Sequence, residues 1–361
     1  MFAPVSAQDL TLPNQGLSTW GTFEAQQWMA AGLQLNTTNY AYATSTTRMA
    51  GSTGGGDYKW ISATLAANGN IYCPAHLNNT YLIIDSNNKS FSTSTGAGGA
   101  WYSANVTYDK ITNSVYCGGV GAYKMLTSGT TPASITFSGR TTVHSPQGFN
   151  GNLIYSYQNE FATKGIYVNT ISANTSALLA AASHYADTMT LGINGNIYAS
   201  PSDQTTIYEY NPFTSTASTF GSFTANRYYA IIQYFDGWIY ALPSATSAAI
   251  YKINPITRQQ IQVGTSTVTH GGSNPKIGGD GRLYTITGGN VIQWYDTRTQ
   301  TDGTLCTTTD SSFLSIAVGV DGTIYCIPRN STYINYIPPT KGGQFYEGFV
   351  SGRSGGRLDF N

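Results

Sequence analysis

The stretch that decides the fold is Gly192-Ile193-Asn194-Gly195-Asn196-Ile197-Tyr198-Ala199-Ser200-Pro201, followed by Thr206-Ile207-Tyr208-Glu209-Tyr210-Asn211-Pro212. Its first half predicts two strands joined by an Asn194-Gly195 hairpin turn, because both residues tolerate the positive φ that we expect at the two central positions. Ile197 and Tyr198 have the branched and aromatic side chains that strands favour. Pro201 ends this strand because it lacks an N–H. The second half predicts a third strand that ends at Asn-Pro.

This phrase returns along the chain at a nearly constant spacing. Close copies read Asn68-Gly69-Asn70-Ile71-Tyr72-Cys73-Pro74, Asp236-Gly237-Trp238-Ile239-Tyr240-Ala241-Leu242-Pro243, Asp280-Gly281-Arg282-Leu283-Tyr284 and Asp321-Gly322-Thr323-Ile324-Tyr325-Cys326-Ile327-Pro328, and weaker ones read Asn113-Ser114-Val115-Tyr116-Cys117 and Gly151-Asn152-Leu153-Ile154-Tyr155. The shared tyrosines, here called the anchor tyrosines, are Tyr72, Tyr116, Tyr155, Tyr198, Tyr240, Tyr284 and Tyr325, and successive ones lie 39 to 44 residues apart. Seven copies of this length predict a repeat fold. With four short strands in each copy, the sequence predicts an all-β, seven-bladed β-propeller of four-stranded antiparallel blades.

The predicted propeller occupies 58–350, between an N-terminal extension over 1–57 and a flexible basic tail over 351–361. Within the extension, Ser18-Thr19-Trp20-Gly21-Thr22-Phe23 parallels Ser218-Thr219-Phe220-Gly221-Ser222-Phe223, the expected outer strand of a blade. We therefore expect 18–23 to close the ring as a strand, since closure removes an open sheet edge. The segment 344–350 is the other candidate for the fourth strand of the last blade.

Charged side chains are scarce in this chain. They make up 9% of the 361 residues, the formal net charge is zero, and hydrophobic residues at 40% are enough for a core. Ordinary soluble domains contain roughly 25% charged residues. A chain without net charge has little electrostatic attraction for nucleic acid or an anionic membrane, so we expect neither as a partner. Its surface must consist mainly of Ser, Thr, Asn, Gln, Gly and Tyr, which is typical of extracellular proteins and virus particles.

The start of the chain, residues 1–9, has neither the basic nor the apolar region of a signal peptide. No stretch is apolar over the length of a membrane span, so we expect no membrane insertion. A virion protein reconciles this start with the external type of composition, because it is made in the host cytoplasm and exposed after lysis. We therefore expect a virion location. The alternative is an extracellular protein whose signal peptide has been removed.

The four cysteines are Cys73, Cys117, Cys306 and Cys326, and three of them directly follow an anchor tyrosine. Other copies have small residues at the same position, so we expect buried packing residues. Cysteines in different blades are too far apart for a disulfide. The short Cys spacings typical of a zinc site are also missing.

The pattern Asn/Asp-Gly-x-Ile-Tyr-x-x-Pro, followed by Ile/Val-x-x-Ile/Tyr-Asn/Asp-Pro, resembles β-propeller repeats of bacteriophage virion proteins and microbial surface proteins over 58–337. The polar, Tyr-rich composition is similar to that of phage tail and head accessory proteins. The resemblance implies a propeller that serves a particle as a structural or adhesive part, although a shared fold does not by itself specify a function. The paired glycines of kelch repeats and the Gly-His and Trp-Asp signatures of WD40 repeats are missing.

Several motifs for catalysis are also missing, because the sequence contains no Walker loop, HExxH or CxxC. Asp236, Asp280 and Asp321 stand where other copies have Asn, so we interpret them as turn formers rather than calcium ligands. Few carboxylates remain for the acid pair of a glycosidase. We therefore predict no enzymatic activity and no cofactor. The alternative is a metal-dependent propeller lyase or hydrolase.

One set of residues shares a phase relative to the anchor tyrosines. Counting fourteen residues back gives Tyr58, Tyr102, Thr141, His184, Asn226, His270 and Ser311, with His144 and Arg227 within three residues of that phase. These positions lead into the inner strands of the blades. The candidate ligand-binding residues Tyr58, Tyr102, His144, His184, Arg227 and His270 are therefore predicted to line one mouth of the central channel. Such a funnel suits a neutral glycan or a loop of a partner protein.

Two other interpretations of these candidate residues are metal binding and a purely structural role. The histidines belong to different blades and are too widely spread to share a metal ion, so we predict no metal site. The second alternative is structural: each side chain fills the funnel and bonds a backbone carbonyl, since unpaired polar groups are costly in such a place.

The sequence thus predicts a non-enzymatic structural or adhesion protein of a virus particle, such as a phage tail component or a capsid accessory or decoration protein. Its expected partners are other virion proteins, within an oligomeric assembly, and a host-surface glycan. The alternative is a lectin-like module, in which Tyr and Trp stack on sugars while Asn, Ser and Thr bond hydroxyl groups.

Overall fold

Within the part of the chain that the structure describes, all regular structure is β. The computed structural model describes residues 41–56, 59–77, 80–95, 106–109, 112–119, 121–126, 133–135, 144–148, 153–158, 164–170, 172–173, 175–182, 186, 188–200, 205–223, 228–234, 236–271 and 275–341. The first two strands, β1 (Ala41–Tyr42) and β2 (Thr47–Arg48), precede the first repeat.

Seven four-stranded antiparallel sheets, called blades 1 to 7, follow one another along the chain. Blade 1 contains β3 (Thr64–Leu65), β4 (Asn70–Cys73), β5 (Thr80–Asp85) and β6 (Ser90–Thr95); blade 2 contains β7 (Val106–Asp109), β8 (Ser114–Gly119), β9 (Gly121–Leu126) and β10 (Ala133–Ile135); blade 3 contains β11 (His144–Gly148), β12 (Leu153–Gln158), β13 (Lys164–Thr170) and β14 (Thr175–Ala182). Blade 4 contains β15 (Met189–Leu191), β16 (Ile197–Ala199), β17 (Ile207–Asn211) and β18 (Thr216–Phe220); blade 5 contains β19 (Ala230–Gln233), β20 (Ile239–Leu242), β21 (Ala249–Ile253) and β22 (Gln260–Thr265); blade 6 contains β23 (Lys276–Ile277), β24 (Leu283–Thr287), β25 (Val291–Asp296) and β26 (Thr301–Thr307). Blade 7 contains β27 (Phe313–Val318), β28 (Ile324–Pro328), β29 (Asn335–Ile337) and the early strand β2, while β30 (Pro339–Lys341) pairs with β1.

The first strand of each blade faces the centre of a closed ring. The first strands of blades 1, 2, 3, 4 and 5 contact one another in that order, those of blades 6 and 7 are in contact, and that of blade 7 contacts that of blade 1. Blades 5 and 6 are joined by the Tyr234 hydroxyl, which donates to the Gly281 carbonyl at 2.7 Å. The predicted fold class, a seven-bladed propeller of four-stranded antiparallel blades, is confirmed.

Blade 7 joins two distant parts of the chain. Its outermost strand is β2, in which Thr47 pairs with Tyr336 and Arg48 pairs with Asn335. The Arg48 guanidinium also donates to both carboxylate oxygens of Asp310, at 2.7 and 2.6 Å. A bidentate pair of this kind fixes the geometry of the closing strand.

The identity of the closing strand corrects an expectation from the sequence. We expected 18–23, or else 344–350, in the fourth position of the last blade, but β2 occupies it. Both expected segments lie outside the described residues. The sequence did not indicate β2 because a strand of two residues carries no alternation of polar and apolar side chains that could be recognised. The other predicted domain boundaries stay predictions.

The hairpin between the first and second strands has the same geometry in blades 1, 4, 5, 6 and 7. Its glycine has a φ of 79 to 85° in all five, whereas the preceding Asn or Asp is not among the residues with positive φ. In blade 4, Gly195 N–H donates to Gly192 O at 2.9 Å, and Gly192 N–H donates to Asn196 O at 2.8 Å. These bonds enclose a three-residue loop that ends in a bulge at glycine. The predicted two-residue turn with positive φ at both residues is therefore wrong, because only the glycine needs positive φ.

Blade 2 makes this hairpin without glycine. Asn113 has a φ of 49° and takes the position that glycine has in the five other blades. Asn is one of the few side chains that enter the left-handed region at small cost. Its side chain accepts a hydrogen bond from the Tyr108 hydroxyl at 2.8 Å. The weaker copy in the sequence thus keeps the same turn.

The isoleucine before the anchor tyrosine packs against the preceding blade. Ile197, Ile239 and Ile324 are each 0% exposed. Ile197 clusters with Ile166 of blade 3, and Ile239 clusters with Tyr198 of blade 4. Ile324 is in the cluster that contains several side chains of blade 6. The prediction that these three side chains are buried between blades is confirmed, and the core is therefore a series of interfaces between neighbouring blades.

Candidate functional site

The repeated Asn and Asp side chains stabilise their own turns. In blades 1, 4, 5, 6 and 7 the Oδ1 atom accepts the backbone N–H two residues on, at 3.0 to 3.1 Å. In blades 1, 4, 5 and 6 the other terminal atom bonds the anchor tyrosine hydroxyl four residues on, at 2.7 to 2.9 Å. Thr112 bonds Tyr116 in the same place in blade 2, at 3.2 Å. The side chains at this position thus act as turn formers, the role that the sequence predicts for the three aspartates.

These hydrogen bonds and burial together affect the pKa of the Asp280 carboxyl, which is 4% exposed. Burial raises the pKa of this carboxyl, and the hydrogen bonds from the Tyr284 hydroxyl and the Arg282 backbone oppose the shift. The Tyr284 hydroxyl lies 2.7 Å from Asp280 Oδ2. Burial also raises the pKa of Tyr284, so the phenol stays protonated and acts as a donor. The pair is suited to holding the turn in place.

Eight acidic side chains that the structure describes all accept hydrogen bonds from the protein, whereas the side chain of Asp109 in β7 is not described. These eight side chains are Asp85, Glu209, Asp236, Asp280, Asp296, Asp302, Asp310 and Asp321. Arginines pair with several of them: Arg258 lies 3.2 Å from Glu209, and Arg298 lies 2.7 Å from Asp296. The carboxylates in this part of the chain therefore have structural partners.

His270 is the one predicted funnel residue whose side chain is described. It is 0% exposed. Its Nδ1 lies 3.2 Å from Thr285 Oγ1 in the second strand of blade 6, and its Nε2 lies 3.4 Å from Asp302 Oδ2 in the outermost strand. The imidazole is therefore enclosed beside the outer strands of blade 6. For His270 this geometry favours the structural alternative over ligand binding at the channel mouth.

Asp302 gathers the polar groups around His270. Its carboxylate accepts the hydroxyls of Ser266 and Thr267, both at 2.6 Å, and the Thr267 backbone N–H at 2.9 Å. Burial alone would raise the pKa of Asp302, but the hydrogen bonds from His270, Ser266 and Thr267 outweigh it and lower the pKa well below its usual range. The cluster connects the end of blade 5 to the outer strand of blade 6.

The side chains of the other five predicted funnel residues are not described by the structure. Tyr58, Tyr102, His184 and Arg227 lie outside the described residues. The backbone of His144 begins β11, where it pairs with Tyr157 of β12, but its side chain is not described. The predicted convergence of the six residues therefore stays a prediction.

The four cysteines are all free and buried. Burial raises the pKa of every one of these thiols, so they stay protonated at neutral pH. Cys73 and Cys326 are 0% exposed and belong to the clusters between neighbouring blades. The prediction of small packing residues is confirmed, and a thiol of this kind is a poor nucleophile.

A second ring of residues lies on the first strands, opposite the anchor tyrosines. In order of the blades, the partners of the tyrosines are Thr64, Thr107, Gln147, Thr190, Ile232, Lys276 and Ala317, here called the channel ring. The side chains of Thr64, Thr107, Thr190, Ile232 and Lys276 are half-buried, whereas the tyrosines opposite them are buried. This difference places these five members of the channel ring at the edge of the central channel.

The channel ring was not among the predicted site residues, although the sequence contains a signal for it. Its members stand eight residues before the anchor tyrosine in six copies and nine residues before it in blade 2. Counting back by eight instead of fourteen would have identified Lys276 as the charged member of an otherwise uncharged set.

Among the described residues, no three His, Cys, Asp or Glu side chains come close enough together to hold a metal ion. No helix in this part of the chain is long and apolar enough to cross a membrane.

Comparison with known proteins identifies relatives in fold. No protein-family model and no curated protein sequence matches the chain. A streptogramin B lyase superposes with a TM-score of 0.63 at 13% identity, over 84% of this chain and 98% of that one. A catalytically inactive virginiamycin B lyase from Staphylococcus aureus with quinupristin gives 0.63 at 13% identity, over 83% and 99%. The extracellular domain of a hybrid two-component system from B. thetaiotaomicron gives 0.57 at 13% identity, over 78% and 40%. Likeness at this level of identity shows the propeller fold alone.

Proposed function

We propose that this chain is a non-enzymatic structural or adhesion protein of a virus particle, and that it presents a rigid propeller to its surroundings. The observation that carries the proposal is the structural use of the acids. All eight described carboxylates accept hydrogen bonds from turns, tyrosines or neighbouring side chains. An enzyme that transfers protons needs an acid or base that can reach its substrate.

The outer strands of the blades support the same proposal. β6 reads Ser-Phe-Ser-Thr-Ser-Thr and β18 reads Thr-Ala-Ser-Thr-Phe, and most of the described side chains on both strands are exposed. Hydroxyl groups without charge bond well to neutral polar partners, such as the rim of a protein interface or the hydroxyls of a sugar. A rigid ring with such an edge suits packing among other virion proteins, with a host glycan as a second partner.

Mass spectrometry of purified particles from the same source tests the virion location. We expect this chain in a fixed ratio to the major capsid protein after density-gradient purification and a high-salt wash. A cytoplasmic protein of the host serves as the control for carry-over. Absence of the chain from washed particles, or loss in parallel with the host control, would contradict the proposal.

Deletion of residues 1–17 tests how the protein attaches, because these residues precede every repeat. We expect the truncated protein to keep the melting temperature of the full chain and to lose incorporation into particles. Full incorporation of the truncated protein would instead assign attachment to another segment, with the residues after Tyr346 as the next candidate.

The adhesion role and the lectin-like alternative are separated by glycan binding. A glycan array probed with labelled particles, and separately with the isolated protein, measures both. Binding by particles alone supports adhesion that depends on the assembly. Binding by the isolated protein to one class of neutral glycan supports the lectin-like module.

The likeness to streptogramin B lyases favours a second candidate, a metal-dependent propeller lyase. Incubation of the protein with quinupristin and Mg²⁺, with and without a chelator, tests it by mass spectrometry of the substrate. Under our first proposal quinupristin stays intact in both reactions. Chelator-sensitive loss of quinupristin would establish the second candidate and overturn the first.

A further inference from the structure

The lysines of the described structure differ in whether they have partners. Lys59 Nζ donates to Thr53 Oγ1, Gly54 O and Ser331 O at 2.6 to 3.0 Å. Lys89 Nζ lies 3.6 Å from Asp321, and Lys252 Nζ lies 4.6 Å from the centre of the Trp238 ring. Lys276, in contrast, has no ion pair, hydrogen bond or ring contact within the described structure. Among the described residues it is thus a half-buried cation without a compensating group.

Lys276 lies in the innermost strand of blade 6. It opens β23, the first strand of blade 6, which pairs with β24 on one side only and leaves its other edge to the channel. Its one electrostatic neighbour of note is the Cys73 thiol of blade 1. Blade 7 lies between blades 6 and 1, and its channel-ring residue is Ala317, which is 2% exposed and packs in a cluster with side chains of blade 1.

Other members of the channel ring carry hydroxyl groups. Thr64 and Thr107 are the channel-ring residues of blades 1 and 2, and neither hydroxyl makes a hydrogen bond within the described structure. Both side chains are half-buried. A hydroxyl can donate its proton to an anion, and an ammonium group can donate three. No described carboxylate contacts this lysine, so the channel combines several donors with little negative charge.

We propose that Lys276 is the centre of an anion-binding site in the central channel, which takes a small carboxylate or inorganic oxyanion and uses the Thr64 hydroxyl as a further donor. The reason is the cost of the unpaired charge. A buried cation is costly unless an opposite charge accompanies it. A small anion would supply that charge.

The protonation of Lys276 adds a property that can be measured. Burial lowers the pKa of its ammonium group to about 8. From that value the group is about 90% protonated at pH 7 and about 10% protonated at pH 9. Because the anion binds the protonated form, its affinity should fall about tenfold between these two pH values. Acetate is the suitable probe, since its own charge stays constant over this range.

Isothermal titration of the full chain with acetate, in a low-salt buffer of large zwitterions, tests the site. We expect one saturable site per chain in the wild type, about tenfold weaker at pH 9 than at pH 7. K276M should lose the site. K252M, which removes a surface lysine over Trp238, should keep both the affinity and its pH dependence. No saturable binding by the wild type, or equal binding by K276M, overturns the proposal.

Inorganic phosphate at pH 7, followed by ³¹P NMR, distinguishes the two kinds of anion. Competition between phosphate and acetate in the wild type, absent in K276M, assigns both to the same site. Acetate binding that phosphate does not displace restricts the site to carboxylates.

Thermal unfolding provides a readout that does not depend on detecting the complex. Acetate should raise the melting temperature of the wild type at pH 7 and leave that of K276M unchanged. Without the anion, K276M should melt above the wild type, because it lacks the unpaired charge. K276Q serves as a polar variant if K276M does not fold. A lower melting temperature of both variants without anion would mean that the protein itself compensates the lysine, and would contradict the proposal.

Discussion

The Asx-Gly turns and the channel ring follow the same sevenfold repeat but use it in opposite ways. In the turns, Asn68 and Asn194 donate to the anchor tyrosine hydroxyl, whereas Asp236 and Asp280 accept a hydrogen bond from it. The side chain therefore varies while its role in holding the turn to the tyrosine stays constant. In the channel ring the position stays constant while its chemistry changes from Thr to Gln, Ile, Lys and Ala. This difference indicates that the turns stabilise the scaffold and that the channel ring is free to carry a specific property.

The isoleucine before the anchor tyrosine should show the largest effect of the repeat on stability. Ile239→Ala should lower the free energy of unfolding by about 2–5 kcal/mol, because it removes a fully buried side chain and leaves a cavity between blades 4 and 5. Urea denaturation measures the loss. Ile256→Ala is the matched control, because Ile256 is 67% exposed and its truncation should cost less than about 0.5 kcal/mol. Equal losses in the two variants would remove the distinction between repeat and surface.

The number of blades and the interfaces between them could be predicted from the sequence, because both follow a repeated pattern. The spacing of Tyr198 and its equivalents gave the number of blades, and the isoleucine beside each gave the interfaces, since both depend on side-chain type and period. The closing strand β2 could not be predicted in this way, because its two residues pair with Tyr336 and Asn335 from nearly three hundred residues away. Pairing at that separation depends on ring geometry rather than on local preference.

The environment of single polar residues also could not be predicted from the sequence. His270 shares its phase with six other positions, but whether its ring faces the channel or the outer strands depends on packing against Thr285 and Asp302. Lys276 was missed for a related reason. A lone lysine has no motif, and its role is inferred from the absence of a partner among the residues that the structure describes.

Loss of the hydrogen bond between the turn and the anchor tyrosine should have the second largest effect on the free energy of unfolding. Tyr284→Phe removes the donor to the buried Asp280 carboxylate and should cost about 1–3 kcal/mol of unfolding free energy. Tyr336→Phe is the control, because the Tyr336 hydroxyl makes no hydrogen bond within the described structure and the ring remains in place. A cost below that of the control would mean that solvent or Arg282 satisfies the carboxylate.

Exchange of Asp280 for Asn sharpens the claim that the two residue types are equivalent in the turns. Asp280→Asn should change the unfolding free energy by less than about 1 kcal/mol at low pH, because Asn68 and Asn194 bond their anchor tyrosines in the same place, with the amide as the donor. Burial raises the pKa of Asp280 in the folded protein. The wild type therefore loses stability as the pH rises from the unfolded-state pKa through the folded-state pKa.

The variant lacks this titration, so its stability relative to the wild type should increase between pH 3 and pH 7. Unfolding curves at several pH values, with Asp321→Asn as the control, measure the trend. Asp321 has no resolved bond to its anchor tyrosine, which instead donates to Ser86 O at 3.3 Å. A relative stability that decreases with pH would mean that the Asp280 carboxylate is stabilised in its charged form.

The smallest effect is expected at the outermost position of the repeat, in the turn between the third and fourth strands. Lys89, Ser215, Arg258 and Gln300 occupy it with φ values of 51 to 58°. In blade 6 the Gln300 N–H donates to Asp296 O at 2.9 Å, which fixes this backbone conformation, and the Gln300 side chain is exposed. Residues with a Cβ adopt positive φ at a cost that glycine avoids. Gln300→Gly should therefore raise the unfolding free energy by about 0.5–1 kcal/mol, less any gain in freedom of the unfolded chain.

Gln259→Gly is the control for this prediction. Gln259 is exposed in the equivalent turn of blade 5 but has no positive φ, so this variant should be destabilised. Destabilisation of both variants by the same amount would mean that the turn can relax away from positive φ, and that this position, like the channel ring, is not fixed by the repeat.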